Sequence, residues 1–288
     1  MVGGLEGVNI FKSFKSDLFK FWSMQDLKLV KKVNAVNVKA DRLTFGKWND
    51  LTKDYFSNEK IIHELYAFFE KQKINLGKEI EIVEVGSAEG LVGEYFKKKL
   101  KKDRRVHLTI LDVVKEHLEK NRNKETKKVH LDLLKFNEIE KYGLVIMRSV
   151  LHYFSEEEQE IVLKNVYHSL KKGGYLLLSV FIQYPSSMNL FLELNKAVGK
   201  NLTLLSKEEV QHNLFKAGFE NVKFLGELTT WNCSSGNLKK RYNLSKEKIE
   251  LMRRLIEKTP LNGKQGFTVS KEGFSVPIPY KLFLMTKN

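Results

Sequence analysis

A glycine-containing turn follows the first strong strand pattern of the chain, and an acidic residue comes just before it. Residues 82–90 read Ile-Val-Glu-Val-Gly-Ser-Ala-Glu-Gly, which is typical of a buried strand that turns at Gly86 and Gly90 into a helix. Glycine allows a sharp turn and a close approach by a ligand, and the helix beyond presents unpaired N–H groups. Such turns also join strands to helices for purely structural reasons, so both interpretations stand at this point.

Two further acids end the next two strand patterns. Asp112 closes the run Thr-Ile-Leu-Asp, and Asp132 closes the run Val-His-Leu-Asp. In a nucleotide-binding fold, an acid at the first of these positions accepts hydrogen bonds from ribose hydroxyls, and the second suits an adenine amino group. Together with Glu84 they make three acid-tipped strands in a row. This arrangement favours a nucleotide-like ligand over three unrelated solvated residues.

Alternating strand and helix patterns position these residues. From residue 79 onward, apolar strand runs are separated by helical patterns, which predicts βαβ units and a parallel sheet. Capping boxes at Ser155–Glu158 and Ser206–Glu209 mark two helix starts, and Gly173–Gly174 is expected to end the first of these helices. The strand runs are 80–85, 106–111, 144–147, 175–181 and a last one at 280–285.

The patterns also divide the chain. Residues 1–76 contain no good strand run and are predicted to form a helical N-terminal cap. Residues 77–288 are predicted to form the sheet domain. Within that domain, residues 228–274 read as an insertion before the last strand, with a helix that begins near Ser245.

Composition restricts the class of protein. Lys and Arg number 50 against 35 Asp and Glu, so the net charge is +15 and the pI is near 9.5. The hydrophobic content of 42% is enough for a sizeable core, and the single cysteine, Cys233, excludes a disulfide scaffold or a Cys-rich metal site. No secretory signal or membrane-spanning run is found, so a cytoplasmic protein is expected. The positive charge leaves nucleic acid, anionic lipid and acidic ligands open as partners.

Taken in order, the motifs resemble those of the class I S-adenosylmethionine-dependent methyltransferases. Residues 84–90 are similar to the acidic-x-Gly-x-Gly-x-Gly loop of this family, with Ala88 in place of the middle glycine. Asp112 matches the ribose-binding acid, and Asp132 with Leu133 matches the pair on the adenine side. Two later segments complete the resemblance, the fourth-strand motif at 143–154 and the Leu-Lys-Pro-Gly-Gly-like segment at 170–177.

The resemblance implies a fold, a cofactor and a set of binding residues. The fold is α/β and Rossmann-like, with a doubly wound, seven-stranded, mostly parallel sheet and an antiparallel last strand. The N-terminal cap and the insertion are additions to this fold, and such additions form lids over the acceptor in the family. The cofactor is S-adenosylmethionine, and no metal is implied. The cofactor-binding residues are Glu84, Gly86, Ser87, Gly90, Asp112, Val113, Asp132, Leu133 and Arg148.

A nicotinamide-dependent dehydrogenase is a competing use of a similar fold. Its loop would read Gly-x-Gly-x-x-Gly, whereas Gly86 and Gly90 are spaced Gly-x-x-x-Gly. The Gly-Gly segment before the fifth strand and the terminal strand also favour the methyltransferase.

His152 is the candidate catalytic residue. It follows the fourth strand at the edge where ligands of open α/β sheets bind, and imidazole suits a general base for a hydroxyl acceptor. The small-molecule O-methyltransferases place a catalytic histidine here, whereas other relatives carry one that only packs beside the cofactor. Both roles stay open. Arg148 is assigned to the carboxylate of the cofactor, with an acidic acceptor or a solvated edge position as alternatives.

Aromatic residues outside the sheet pattern indicate the type of acceptor. The N-terminal segment carries Phe11, Phe14 and Trp22, and the insertion carries Trp231 and Tyr242. As groups they suggest a small apolar or aromatic acceptor, methylated at oxygen, with nitrogen and carbon acceptors open.

Three alternative functions remain. The first is a methyltransferase acting on RNA or another macromolecule, for which the basic run 97–105 would provide charge. This run lies at the far end of the helix after the glycine loop, and no RNA-binding module accompanies it, so nucleic acid is disfavoured. The second is a membrane-associated lipid or quinone acceptor, reached through peripheral contact by the basic aromatic N-terminus. The third is a binding protein that has lost catalysis.

Overall fold

Strands and helices alternate along most of the chain. The computed structural model of the protein describes residues 55–199 and 202–288. The strands are β1 (Glu79–Val85), β2 (Arg105–Asp112), β3 (Lys127–His130), β4 (Tyr142–Arg148), β5 (Leu170–Phe181), β6 (Asn221–Glu227), β7 (Trp231–Ser234), β8 (Thr268–Ser270), β9 (Gly273–Ile278) and β10 (Tyr280–Thr286). The helices are α1 (Glu59–Glu70), α2 (Leu91–Leu100), α3 (Lys115–Lys120), α4 (Glu156–Ser169), α5 (Pro185–Val198), α6 (Lys207–Lys216), α7 (Ser235–Tyr242) and α8 (Lys246–Glu257).

A seven-stranded sheet forms the centre, in the order β3-β2-β1-β4-β5-β10-β6. The pairs β1–β2, β1–β4, β2–β3 and β4–β5 are parallel, whereas β10 runs antiparallel to both β5 and β6. The strand order reverses between β1 and β4, and the carboxyl ends of these two strands therefore border the crevice where ligands of open α/β sheets bind. The seven-stranded, mostly parallel sheet with an antiparallel last strand confirms the predicted fold class.

The side chains of the central strands alternate between two apolar layers. On β4, Leu144 and Ile146 belong to the layer that also contains Phe96 of α2, while Val145 and Met147 belong to the layer of α4 and α6. A strand covered on both faces reads as a continuous apolar run, because neither face is exposed to water. The predicted apolar runs therefore correspond to the central strands of the doubly wound sheet.

A second, smaller sheet lies in the chain between β6 and β10. Its strands follow the order β7-β9-β8, and α8 packs against both this sheet and α5. Helix α8 begins next to Ser245, as the sequence predicts, and Ser245 caps it by accepting a hydrogen bond from the Lys248 backbone N–H at 3.3 Å. Strand β9 continues past residue 274, at which the insertion was expected to end.

The predicted N-terminal cap, residues 1–76, is described only from residue 55 onward. In that part α1 forms, and Asn58 caps it by accepting from the Lys60 backbone N–H at 2.9 Å. The aromatic segment 11–22 lies outside the described residues. Among the residues that are described, no helix is long and apolar enough to cross a membrane.

The helix that follows the fourth strand begins where the sequence predicts but ends differently. In α4 the Ser155 hydroxyl accepts from the Glu158 backbone N–H at 3.2 Å, and the Glu158 carboxylate accepts from the Ser155 N–H at 3.0 Å, so the capping box is confirmed. The prediction that Gly173–Gly174 ends this helix is wrong. Leu170 is already extended and pairs with Tyr142, and both glycines lie inside β5, next to an irregularity in its pairing with β4. Glycine serves there in a strand bulge rather than in a helix cap.

The Ser155 cap holds the loop that joins β4 to α4, and its loss is a test of this arrangement. We expect Ser155→Ala to lower the free energy of unfolding by about 1 kcal/mol, because an N–H group of the first turn loses its acceptor. Urea unfolding measures the change. Ser155→Asp is the matched control, since aspartate also caps helices, and it is expected to retain most of the stability. Equal losses in both variants would contradict the capping role.

Candidate active site

A cavity lies at the carboxyl edge of β1, β2 and β4, on the crevice described above. Most of the predicted cofactor-binding residues line it, namely Glu84, Gly86, Ser87, Asp112, Val113, Asp132, Leu133 and Arg148. Gly90 and His152 do not belong to the lining. The structure therefore brings eight of the ten predicted site residues to one cavity wall, although they come from four separate segments of the chain.

The glycine loop after β1 requires glycine for packing as well as for its turn. Gly86 has a φ of +61°, and a Cβ placed on it would overlap a methyl carbon of Val150. Gly90 has a φ of +80° at the N-cap of α2, and its Cβ would lie 2.7 Å from Ile110. Both glycines thus allow the loop to approach its neighbours closely. Gly90 acts from behind the cavity wall, by shaping the start of α2.

Ala88 stands at the position where the resembling family has its middle glycine. Its φ is +51°, which places it in the left-handed region that non-glycine residues seldom occupy. Its backbone N–H donates to Asp112 Oδ2 at 2.7 Å. This hydrogen bond holds the alanine in a conformation that its Cβ disfavours, so the loop keeps its shape without the glycine.

Asp112 connects three segments of the site. Besides Ala88, the carboxylate accepts from the Val114 N–H through Oδ1 at 2.8 Å, and the Ser87 N–H donates to the Leu111 carbonyl at 3.0 Å. The glycine loop is therefore joined to the end of β2 and to the residues before α3. Each carboxylate oxygen can accept more than one hydrogen bond, so the side chain retains capacity for a ligand.

Glu84 is a buried acid at the end of β1, with 4% of its surface exposed. Its Oε2 accepts from the Gly93 N–H in the first turn of α2 at 2.7 Å. Burial raises the pKa of this carboxyl to about 8, and the hydrogen bond from Gly93 and the positive charge of Arg148 oppose the shift. The carboxyl is therefore largely protonated at neutral pH in the ligand-free protein.

Asp132 lies two residues beyond the end of β3, because the strand ends at His130 and not at Asp132 as the sequence predicts. Its Oδ1 accepts from the Leu134 N–H at 3.1 Å and caps a short 3₁₀ turn that begins at Leu133. On the neighbouring wall, the Val113 carbonyl accepts a hydrogen bond from His130 Nε2 at 3.0 Å. These contacts orient the part of the wall next to Asp112.

Arg148 is the last residue of β4, and only 8% of its surface is exposed. Its Nη1 donates to the Phe56 carbonyl at 3.0 Å, and its guanidinium carbon lies 5.2 Å from the centre of the Phe56 ring and 5.7 Å from that of Tyr55. Its Nη2 is buried and has no hydrogen-bond partner among the described residues. Burial lowers the pKa of the guanidinium, although the group stays charged. The structure rules out the solvated edge position for Arg148.

His152 lies in a 3₁₀ turn after β4 and is buried. Its ring packs 4.1 Å from the ring of Tyr153 and 6.3 Å from that of Phe181, measured between centroids. Its neighbours Val150, Tyr153 and Phe154 line the cavity, whereas its own side chain does not. In this structure the ring is part of the aromatic packing behind the wall.

Several cavity residues were not predicted as site residues. Phe56, Tyr153 and Phe154 form an aromatic part of the lining, Ser57 adds a hydroxyl, and His117 contributes a buried imidazole. The helical spacing around His117 looks like that of any surface helix, so the sequence contains no signal for it. Within residues 55–199 and 202–288, no cluster of three or more His, Cys, Asp or Glu side chains could hold a metal ion.

Comparison with known proteins agrees with this geometry. Residues 83–176, about a third of the chain, match a family model described as a methyltransferase domain. No curated protein matches the sequence.

Several solved structures share the fold. YcgJ from Bacillus subtilis superposes with a TM-score of 0.64 at 14% identity, over 78% of this chain and 98% of its own. A protein from Bacillus halodurans C-125 gives 0.63 at 20% identity, over 78% and 99%. An S-adenosylmethionine-dependent methyltransferase from Archaeoglobus fulgidus gives 0.51 at 15% identity, over 84% and 100%.

At these identities the solved structures show the fold alone, and the family match supplies the activity. The matched residues run from within β1 to within β5, and they include the glycine loop and the acids Glu84, Asp112 and Asp132. The dehydrogenase alternative is thereby excluded. Residues 83–176 therefore form a methyltransferase domain with the class I fold, and the enzyme uses S-adenosylmethionine.

Proposed function

We propose that the enzyme transfers a methyl group from S-adenosylmethionine to a small apolar or aromatic molecule, at an oxygen atom. The observation that carries this proposal is the composition of the cavity wall. Acidic side chains and backbone groups make up the polar part of the lining, and the side chains of Phe56, Tyr153 and Phe154 make up its aromatic part. A cavity of this kind suits a polar cofactor next to an apolar acceptor.

The residues of the polar part fit the cofactor in chemistry and charge. Asp112 and Asp132 would hold the adenosine moiety, through the ribose hydroxyls and the adenine amino group. Glu84 and Arg148 are a buried acid and a buried cation, and the Nη2 of Arg148 has no partner in the described part of the chain. They complement the ammonium and carboxylate groups of an amino acid, such as the methionine moiety of the cofactor.

When bound, S-adenosylmethionine supplies a methyl group already activated by a sulfonium. The protein then has to exclude water and hold the acceptor in line, which is mainly a matter of positioning. We assign the acceptor side to the aromatic part of the lining. The Phe56 ring contacts Trp231 of the insertion at 5.6 Å between centroids, and Tyr55 stacks on Trp231 at 6.0 Å. These contacts support the lid role proposed for the N-terminal cap, residues 1–76, and for the insertion at 228–274.

His152 remains the proposed general base for an oxygen acceptor. It belongs to the turn that supplies Tyr153 and Phe154 to the cavity, and in this role its ring would have to turn away from Tyr153 and Phe181 toward the acceptor.

A small acceptor is preferred over RNA because part of the basic run is already paired. Lys97 is buried and lies 3.3 Å from Glu125 Oε2, and Lys101 contacts the same oxygen at 3.3 Å. These two lysines form an ion-pair network within the domain, behind the cofactor edge.

The first prediction on function concerns the fate of the methyl group. Purified enzyme incubated with methyl-labelled S-adenosylmethionine and a cell extract is expected to move label into the fraction soluble in organic solvent. Asp112→Asn should abolish the transfer and weaken S-adenosylhomocysteine binding by at least about tenfold, since a carboxylate acceptor is lost. Asp103→Asn, at an exposed position, is the control. Label recovered only in the acid-precipitated macromolecules would overturn the small-acceptor proposal.

The second prediction uses the raised pKa of Glu84. A carboxyl that ionises near pH 8 when folded and near pH 4.5 when unfolded stabilises the fold below pH 4.5. Its contribution is lost as the pH rises through about 8, because the unfolded chain releases the proton earlier. Glu84→Gln removes this titration, and glutamine still accepts from Gly93. We expect the variant to become more stable than the wild type as pH increases from about 5 to about 8.5, by on the order of a few kcal/mol.

Urea unfolding of the ligand-free protein at several pH values measures this difference. Glu81→Gln, on the same strand and half-buried, is the control and is expected to follow the wild-type curve. A constant difference between Glu84→Gln and wild type across this range would show that Glu84 does not titrate as described.

The third prediction separates the two roles of His152. His152→Phe keeps a ring against Tyr153 and Phe181 but removes both nitrogens. If His152 is the base, this variant loses turnover by about 10²-fold or more while it still binds S-adenosylhomocysteine normally. The acid limb of the wild-type pH–rate profile should also disappear from the residual activity. Turnover near the wild-type level in His152→Phe would leave a packing role only.

A further inference from the structure

The imidazole of His117 is a buried polar group at the cavity wall to which no function has been assigned. His117 lies in the first turn of α3, its N–H donates to the Val114 carbonyl at 3.2 Å, and 4% of its surface is exposed. His117 lines the cavity together with Asp112 and Val113. A buried histidine is usually satisfied by the protein around it, so its hydrogen bonds can be accounted for one nitrogen at a time.

The Nδ1 atom faces Asp112. It lies 3.7 Å from Asp112 Oδ1, which is too long for a hydrogen bond, but the negative oxygen favours the tautomer whose N–H faces it. The carboxylate itself is held in place by the Ala88 and Val114 N–H groups. The neutral ring therefore favours the tautomer with hydrogen on Nδ1, and Nε2 carries a lone pair.

The Nε2 atom is buried, and residues 55–199 and 202–288 offer it no hydrogen-bond partner. An acceptor withdrawn from water without a donor is unfavourable, so an unpaired acceptor at the wall of a ligand cavity calls for a donor in the ligand. The donors next to Asp112 in the bound cofactor are the two ribose hydroxyls, if Asp112 has its proposed role. Two neighbouring hydroxyls would then face two neighbouring acceptors.

We propose that His117 is a cofactor-binding residue whose Nε2 accepts a hydrogen bond from one ribose hydroxyl of S-adenosylmethionine. Asp112 accepts from the other hydroxyl, and its nearby charge keeps the His117 proton on Nδ1. The inference rests on the proposed function, because it requires the adenosine moiety to lie against Asp112. It adds a neutral acceptor to a part of the site in which the sequence indicates only carboxylates.

The test compares variants and ligands together. His117→Met fills a similar volume without a hydrogen-bonding nitrogen. Calorimetry measures its affinity for 5′-methylthioadenosine, which keeps the adenosine but lacks the amino acid, and for the 2′-deoxy and 3′-deoxy forms of this ligand. We expect the variant to bind 5′-methylthioadenosine about five- to tenfold more weakly than wild type. With one of the two deoxy ligands, wild type and variant should bind equally, because the hydroxyl that His117 accepts from is missing.

Two amide variants locate the interacting nitrogen. The longer side chain in His117→Gln carries its amide to the place of Nε2, whereas the shorter side chain in His117→Asn carries its amide only to the place of Nδ1. Affinity is therefore expected to recover in His117→Gln and to stay low in His117→Asn. His107→Met is the control, since His107 is exposed on β2 and pairs with Glu79 outside the cavity.

A measurement on the wild-type protein does not depend on the folding of any variant. In ¹⁵N-histidine-labelled enzyme, the Nε2 signal of His117 should shift when 5′-methylthioadenosine is added, as expected for a new hydrogen bond. The proposal is overturned if this signal does not move, or if His117→Met weakens all three ligands equally. If wild-type enzyme binds neither S-adenosylhomocysteine nor 5′-methylthioadenosine, the proposed function fails as well. If wild-type enzyme binds them and His117→Met binds 5′-methylthioadenosine with the same affinity, only the role of His117 fails.

Discussion

The hydrogen bonds that Asp112 accepts from the Ala88 and Val114 N–H groups are the contacts on which the site depends. They join the loop after β1 to the end of β2, two segments that the parallel pairing of the strands brings side by side. One carboxylate therefore shapes the loop and also faces the cavity. The loop has alanine rather than glycine at position 88, and the left-handed conformation of Ala88 strains the backbone. The hydrogen bond that the Ala88 N–H donates to Asp112 compensates for this strain. Any change at Asp112 acts on the shape of the wall as well as on its charge.

Charge is distributed unevenly along the cavity. At the Asp112 end, backbone N–H groups already stabilise the carboxylate, whereas at the β1–β4 end Glu84 and Arg148 are buried with few partners among the described residues. Burying a charge without a partner is costly, and the raised pKa of Glu84 reflects that cost. A zwitterionic ligand between Glu84 and Arg148 would supply a positive charge to pair with Glu84 and a negative charge to pair with Arg148. The net charge of +15, which at first suggests nucleic acid, is less informative than these two buried groups.

Much of the fold could be predicted from the sequence, because the central strands are buried on both faces and read as unbroken apolar runs. The glycine loop and Asp112 could also be recognised, because the backbone geometry of the loop restricts which residues fit there. Other features depend on contacts between distant segments. The burial of Arg148 depends on the carbonyl and ring of Phe56, and the role of Gly173 and Gly174 depends on how β5 pairs with β4. Neither relation leaves a local pattern.

The aromatic contacts of Tyr55 are a further feature that the sequence could not predict, because they too join distant segments. Tyr55 stacks on both Trp231 and Tyr280, at 6.0 and 5.6 Å between centroids, and its hydroxyl donates to the Thr229 carbonyl at 2.8 Å. These contacts join the segment before α1 to the start of the insertion and to the first residue of β10, although 174 positions separate Tyr55 from Thr229. The guanidinium of Arg148 lies over the Tyr55 ring, so this aromatic group is also connected to the end of β4. A movement of either addition would thus change the surroundings of a charged cavity residue. An acceptor bound at the aromatic part of the lining, as proposed, would be coupled to Glu84 and the glycine loop through Arg148.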